Sequence, residues 1–260
     1  MLWLTYHRDM TSSPAAPDAA PHDADREPGA DIPNIPLLDE AIEYRALEQK
    51  PTWRGWIHAV TFPTAIILGI VLIALGANPA ARWSSGVFVL SSLLLFGISA
   101  TYHRFTWSDR TRILLKRFDH ANIFLLIAGT YTPLSIMALP PEKGYLLLVL
   151  VWTGAFIGIG FRVFWISAPR WAYVPLYVLL GWAAVLYIVD LFTANAAMMV
   201  LVIVGGLAYT AGAVVYGIKK PNPVPGVFGF HEIFHTLTVV AFLCHWTGVL
   251  LVALDPPFGG

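Results

Sequence analysis

Long apolar stretches separated by short polar segments dominate the chain from about residue 57 onward. Each stretch has roughly the 20 apolar residues that an α-helix needs to cross the hydrocarbon core of a bilayer. The stretches lack the short alternating pattern of transmembrane β-strands. The predicted fold class is therefore all-α, a bundle of seven transmembrane helices. The predicted helices cover residues 57–77, 83–103, 118–138, 144–164, 171–190, 196–217 and 229–252.

The residues before the first apolar stretch have a different character. Residues 14–39 are rich in Ala, Pro and Asp, and such a segment buries too little apolar area to fold. Residues 1–50 also lack the basic start and apolar run of a secretory signal peptide. We predict a disordered cytoplasmic tail over residues 1–50 and a membrane domain over residues 51–260. The sequence leaves open whether translation starts at Met1 or Met10.

The composition indicates that lipid is the solvent of the membrane domain. The chain is 57% hydrophobic and 12% charged, whereas soluble domains carry about 25% charged residues. A formal net charge of zero argues against nucleic acid as a partner. The single cysteine, Cys244, excludes an internal disulfide and a cysteine-based metal site. We expect a multi-pass protein of the cell membrane whose partners are lipids, with its oligomeric state left open.

Lys and Arg residues predict the orientation of the helices, because cytoplasmic loops carry an excess of them. The segments before the first predicted helix and after the second, fourth and sixth belong to one side. The opposite loops hold only Arg82 and Lys143. The basic residues of the first side are Arg45, Lys50, Arg54, Arg104, Arg110, Arg112, Lys116, Arg117, Arg162, Arg170, Lys219 and Lys220. We therefore predict a cytoplasmic N-terminus and an extracytoplasmic C-terminus.

Ionisable residues near the ends of three predicted helices are candidates for chemistry, because charge within a membrane is costly. His103 closes the second helix, Asp119 and His120 begin the third, and His231 and His235 begin the seventh. In the predicted orientation all five residues lie near the cytoplasmic boundary. Helix ends that are far apart in sequence thus converge at one membrane level.

The spacing of these residues predicts a zinc site. His231 and His235 are four residues apart and share one helix face, and Ser99 and His103 have the same relation. Three neutral imidazoles and one water form the usual open zinc site, and nitrogen ligands favour zinc over magnesium or calcium. Such an ion lowers the pKa of water to about 7, and Asp119 would orient or deprotonate that water. The sequence leaves iron and manganese open.

Four other polar residues have simpler interpretations. His120 is interpreted as a helix-start residue or as a residue behind the metal ligands. His58 has no partner four residues away, so we interpret it as interfacial. Asp190 ends a predicted helix on the outer side, away from the site, and is interpreted as interfacial too. Cys244 is predicted to pack in the core.

Residues 231–235, His-Glu-Ile-Phe-His, also match the H-E-x-x-H pattern of zincin proteases. A zincin takes its third ligand downstream, but His245 lies about 15 Å beyond His235 along a straight helix. The third ligand must come from elsewhere, and His103 is the best placed. The protease interpretation is therefore disfavoured, and the role of Glu232 stays open.

Three stretches together carry a resemblance to a known family. They are residues 99–103 (Ser-Ala-Thr-Tyr-His), residues 119–133 (Asp-His-Ala-Asn-Ile-Phe-Leu-Leu-Ile-Ala-Gly-Thr-Tyr-Thr-Pro) and residues 231–235. In order and spacing they resemble haemolysin III proteins, bacterial members of the progestin and adipoQ receptor family, across most of residues 50–252. The resemblance implies seven helices with the N-terminus inside and a zinc ion near the cytoplasmic face. It implies that the zinc ligands are His103, His231 and His235, with Ser99 and Asp119 around the zinc-bound water.

The resemblance also implies a function. The adiponectin receptor branch is similar to ceramidases in its site chemistry, so the implied activity is a zinc-dependent hydrolase acting on a ceramide-like or other acyl-amide lipid. The bacterial branch is linked to membrane lipid homeostasis. A non-enzymatic membrane sensor or regulator with a structural zinc stays open as an alternative. A pore-forming cytolysin is disfavoured, because the helices are too apolar to line a wide pore.

Overall fold

The computed structural model describes residues 51–165 and 168–259. The predicted tail over residues 1–50 lies outside the described residues. Within them, the regular structure comprises eight α-helices, one 3-10 helix and an isolated bridge between Val224 and Phe228. The helices are α1 (Trp56–Leu75), α2 (Pro79–Arg104), α3 (Asp109–Met137), α4 (Pro141–Phe164), α5 (Arg170–Gly181), the 3-10 helix (Ala183–Tyr187), α6 (Ile188–Ala194), α7 (Ala196–Ile218) and α8 (Phe230–Leu254). The predicted all-α class is confirmed.

Six helical segments of the described residues are long and apolar enough to cross a membrane. They are α1, α2, α4, α7, α8 and the segment Trp171–Ala194, which combines α5, the 3-10 helix and α6. Large apolar side chains such as Ile70, Leu146 and Leu179 are exposed on their outer faces. Lipid can cover these faces, whereas water would leave several hundred Å² of apolar surface unburied. The architecture is a helical membrane bundle.

Helix α3 differs from these six because polar residues run along its whole length. Charged residues occupy its first three turns, and Asn122, Thr130, Thr132 and Ser135 follow as buried polar residues. Most residues from 121 to 137 are buried, because α3 packs against α2, α4, α5 and α8. A helix that its neighbours shield from lipid can carry more polar groups than a helix that faces lipid.

A serine-rich face of α2 allows it to pack closely on its neighbours. Ser84, Ser85, Ser91, Ser92 and Ser99 are all buried. The hydroxyls of Ser84 and Ser92 donate to carbonyls four residues back, at 2.6 and 2.8 Å, so their polar atoms are satisfied within the helix. Small side chains at such interfaces let helix backbones approach one another in a membrane. This packing fixes the position of the α2 axis, and His103 lies in the last turn of that helix.

The predicted helix over residues 171–190 is interrupted in the structure. The α-helical pattern stops at Gly181 and resumes at Ile188, after the 3-10 helix. The Tyr131 hydroxyl of α3 donates to the Gly181 carbonyl at 2.6 Å and accepts from the Ala184 N–H at 2.8 Å. One side chain therefore satisfies two backbone groups that the interruption frees, as an apolar environment requires.

Candidate metal centre and cavity

The predicted site residues meet at one end of the bundle, which we call the histidine end. His103 lies in the last turn of α2, and His231 and His235 lie in the first two turns of α8. Asp119 and His120 lie about three turns into α3, so His120 is not at the start of a helix. The first turns of α3 carry charged residues, so a search for apolar stretches did not include them.

Three imidazoles form the centre of this site. The Nε2 atoms of His103 and His231 are 3.3 Å apart. One ring nitrogen from each of His103, His231 and His235 lies within 4.8 Å of the others. Tetrahedral zinc with Zn–N bonds of 2.0–2.1 Å places two ligand nitrogens about 3.3 Å apart. The donor set and its spacing are thus compatible with one metal ion.

Asp119 and Ser99 lie beside the three histidines. The Asp119 Oδ2 atom is 3.9 Å from the His103 Nε2 atom. Ser99 is buried one turn before His103, and its hydroxyl lies close enough to the Asp119 carboxylate to interact with it. The structure therefore brings together all five residues that the sequence singled out for the site.

His120 lies at the edge of the cluster with other partners. Its Nδ1 atom is 2.8 Å from the Lys116 carbonyl, and its Nε2 atom is 3.4 Å from the Tyr216 hydroxyl. The Nδ1 atom is also 3.8 Å from the Asp119 Oδ2 atom. The ring therefore packs behind Asp119 and links α3 to α7.

Glu232, whose role the sequence left open, makes its polar contacts outside the histidine cluster. Its Oε1 atom pairs with the Arg54 Nε atom at 2.6 Å, with both side chains buried. Its Oε2 atom accepts from the Gly229 N–H at 2.9 Å, at the start of α8. The Thr52 N–H also donates to the Gly226 carbonyl at 3.2 Å. Glu232 thus ties α8 to the segment before α1 and does not take the position of a zincin base.

His58 corrects the sequence interpretation, which took it as interfacial. The residue is buried in α1, and its ring stacks on His235 with centroids 3.9 Å apart and planes 4° apart. A fourth imidazole therefore supports the cluster from α1. A contact between two helices leaves no signal in the spacing along either helix, so sequence reasoning missed it.

Gly55 brings the start of α1 close to the site. Its φ of 80° lies in the left-handed region, which favours glycine. A Cβ at this position would lie 2.8 Å from the His103 Cβ atom. The absence of a side chain at residue 55 is therefore what lets α1 approach His103.

A mainly apolar cavity of about 110 Å³ begins at the histidine end. Its wall there includes His58, Ser99, Asp119 and the two histidines of α8. Along α3 its lining residues run from Asp119 to Leu134, which is about 22 Å of helix. The cavity therefore extends from the histidine end along α3 into the mainly apolar interior of the bundle.

Three other polar residues lie away from the histidines. His245 lines the cavity deep in α8, where its Nε2 atom is 3.2 Å from the Val202 carbonyl. Asp190 pairs with Lys143 at 2.7 Å near the far end of the bundle. Cys244, which was predicted to pack in the core, is half-buried. The expectation that His245 cannot complete the triad with His235 agrees with the unbroken α8 between them.

Comparisons with known proteins relate most of the chain to one group. The family model described as "Haemolysin-III related" matches residues 47–246. The "Hemolysin-3 homolog" of Bacillus subtilis (strain 168) is 31% identical over 209 residues, which cover 77% of this chain and 95% of that protein. The "Hemolysin-3" of Bacillus cereus is 30% identical over 63% of this chain and 75% of that protein. The "Heptahelical transmembrane protein ADIPOR2" of Oryza sativa subsp. japonica is 29% identical over 67% of this chain and 83% of that protein.

Proposed function

Because the chain belongs to the haemolysin III-related family and is a multi-pass integral protein of the cell membrane, we propose that it is a zinc-dependent hydrolase of lipid amides. The proposal rests on one observation: three imidazoles and a carboxylate lie together at the polar end of an apolar cavity. A ceramide-like or other acyl-amide lipid is the proposed substrate. Turnover of such lipids would contribute to membrane lipid homeostasis.

The ligands of the proposed zinc ion are His103, His231 and His235. Their ring nitrogens lie within 4.8 Å of one another, and each can be a neutral imidazole donor. When bound, the metal would supply Lewis-acid activation of water and of the amide carbonyl. The stacked ring of His58 holds the orientation of His235, much as outer residues orient the ligands of other metal sites.

Asp119 and Ser99 would carry the proton chemistry. Asp119 takes a proton from the attacking water and returns it to the leaving amine, as a general base and then a general acid. The Ser99 hydroxyl orients the Asp119 carboxylate or donates to the oxygen that gains charge. The apolar cavity holds the acyl chain and excludes bulk water from the amide.

We further propose that α3 is a seventh membrane crossing and that the histidine end faces the cytoplasm. The buried, lipid-shielded environment of α3 supports a crossing despite its polar residues. The excess of Lys and Arg in the loops of the histidine end supports a cytoplasmic position. A relative whose name describes it as heptahelical is consistent with seven crossings.

Metal content tests the first part of the proposal. We expect about one zinc ion per chain in detergent-purified wild type, because three imidazoles complete a usual zinc site, and none in His231→Ala/His235→Ala, measured by inductively coupled plasma mass spectrometry. His245→Ala removes a buried histidine from the same helix and should retain the metal. Wild-type protein without metal after zinc reconstitution would contradict the site, and stoichiometric iron or manganese would contradict zinc.

Asp119→Asn separates the hydrolase from a membrane sensor or regulator with a structural zinc. The sensor has support of its own, because a metal between α2 and α8 would clamp two helices. For a hydrolase we expect the variant to keep its metal and to lose about 10²–10⁴-fold in turnover of a ceramide and acyl-amide panel. Asp190→Asn, far from the site, is the matched control. Zinc-loaded wild type that hydrolyses no member of the panel would favour the sensor.

A further inference from the structure

Arg162 is a buried cation near the end of α4. It lies in the last turn of α4, and its side chain is 3% exposed. Among the described residues, its Nε and Nη1 atoms have no hydrogen-bond partner. Burying an unpaired guanidinium is costly, so this position favours a bound anion that would accept its hydrogen bonds.

The start of α5 faces the same guanidinium. The Arg162 Cζ atom lies 4.1 Å from the centroid of the Tyr173 ring, and Tyr173 is in the first turn of α5 (Arg170–Gly181). Pro169 precedes this helix, and no side chain of the described residues caps its N-terminus. The free N–H groups and the dipole at a helix N-terminus attract anions. Two independent features therefore favour negative charge at one place.

The level of this place in the membrane indicates which class of anion could bind there. Trp165 lies directly after the last residue of α4 and Trp171 lies in the first turn of α5, and they are 52% and 79% exposed. Exposed tryptophans at the ends of membrane helices mark the headgroup region of a bilayer. The anions of that region are phosphates, and a guanidinium can bind a phosphate through two parallel hydrogen bonds.

We propose that Arg162 and the N-terminus of α5 bind the phosphate of a phospholipid headgroup. This site is separate from the histidine cluster and does not depend on the proposed hydrolase activity. The lipid would hold the end of α4 against the start of α5. Because Tyr173 also lines the cavity, a lipid bound here would help to fix one wall of that cavity.

The test is a thermal unfolding series on the purified full-length chain in detergent, with phosphatidylglycerol, diacylglycerol or inorganic phosphate added. The variants are wild type, Arg162→Met and Arg110→Met, whose exposed arginine lies at the same end of the bundle. Native mass spectrometry measures lipid affinity in parallel. We expect phosphatidylglycerol, and not diacylglycerol, to raise the melting temperature of wild type and of Arg110→Met.

Arg162→Met should lose that response and bind phosphatidylglycerol at least about tenfold more weakly, as expected for one charge-assisted hydrogen bond. Without added lipid it should be no less stable than wild type, because the substitution removes an unpaired buried charge. An unchanged lipid response of Arg162→Met would overturn the proposal, and so would a large loss of stability without lipid. Inorganic phosphate that stabilises wild type as well as phosphatidylglycerol does would overturn the assignment to a lipid.

Discussion

At the scale of single residues, Glu232 and Arg54 form a buried ion pair next to the histidines. Arg54 and Glu232 are 4% and 1% exposed, and the Nε–Oε1 distance is 2.6 Å. Such a pair is held by its mutual attraction and by hydrogen bonds to its remaining atoms, here the Gly229 N–H. The pair links the segment before α1 to the helix that carries His231 and His235.

Glu232→Gln should therefore destabilise the fold more than its conservative chemistry suggests. We expect a loss of about 3–5 kcal/mol in the free energy of unfolding, because the buried Arg54 guanidinium loses the negative charge of the Glu232 carboxylate beside it. Denaturant titration in detergent measures this free energy of unfolding. Glu142→Gln, an exposed glutamate at the start of α4, is the control and should cost little. If Glu232→Gln is as stable as its control, the ion pair has no structural role.

The sequence predicted the grouping of the three histidines for a physical reason, and that reason does not extend to the residues that pack around them. His231 and His235 share a face by helical periodicity, and His103 lies at a helix end on the same predicted membrane side. The stacking of His58 on His235 and the pairing of Arg54 with Glu232 depend on how α1 packs against α8. Periodicity along one helix carries no information about such contacts.

At the scale of elements, the Tyr131 hydroxyl hydrogen-bonds two backbone groups at the interruption between α5 and α6. Tyr131 contacts both Gly181 and Ala184 through its oxygen. Trp182, next to the interruption, donates to the Thr210 hydroxyl of α7 at 3.0 Å. The apolar stretch predicted over residues 171–190 lies within one candidate membrane span, Trp171–Ala194. Hydropathy does not reveal the interruption, because it measures apolar character and the residues of the interruption are as apolar as those of a regular helix.

Tyr131→Phe tests the role of that hydroxyl. We expect a loss of about 1–3 kcal/mol in the free energy of unfolding, because the buried Ala184 N–H and the Gly181 carbonyl lose their shared partner. Hydrogen exchange of residues 181–187 should also accelerate, and mass spectrometry of peptides measures that rate. Tyr145→Phe removes a hydroxyl from a side chain that is 67% exposed and should change neither quantity. Equal behaviour of the two variants would mean that water or another group satisfies the interruption.

The start of α3 is a second feature that hydropathy does not predict. The helix begins at Asp109, where Ser108 serves as N-cap, whereas the apolar stretch predicted a start at residue 118. The additional turns carry Arg110, Arg112, Lys116 and Arg117. Charged residues can form stable helical turns outside the hydrocarbon, but a search for apolar stretches leaves such turns out.

At the scale of the whole molecule, the two ends of the bundle differ in charge and in chemistry. The histidine end carries the three histidines of the proposed metal site and most of the basic loop residues. At the opposite end the Ala77 N–H donates to the Ala253 carbonyl, and the Phe258 N–H donates to the Met137 carbonyl. These bonds join the α1–α2 connection, the end of α3 and the C-terminal segment.

Cysteine labelling tests the proposed orientation of the bundle. In a Cys244→Ser background we expect a membrane-impermeant maleimide to label Pro257→Cys in intact cells and Arg110→Cys only after lysis. Both positions are exposed, and they lie at opposite ends of the bundle. The expectation follows from the excess of Lys and Arg at the histidine end. Labelling in the reverse pattern would place the histidines outside, and labelling of both in intact cells would contradict an odd number of crossings.

The separation of the three histidines along the chain has a consequence for biogenesis. His103 and His231 meet although 128 residues separate them, and α8 is the last helix of the described residues. A nascent chain still on the ribosome holds His103 without either of its partners. The proposed metal can therefore be captured by all three ligands only after α8 has entered the membrane. Metallation would then report that synthesis and insertion are complete, and a prematurely terminated chain could not acquire it.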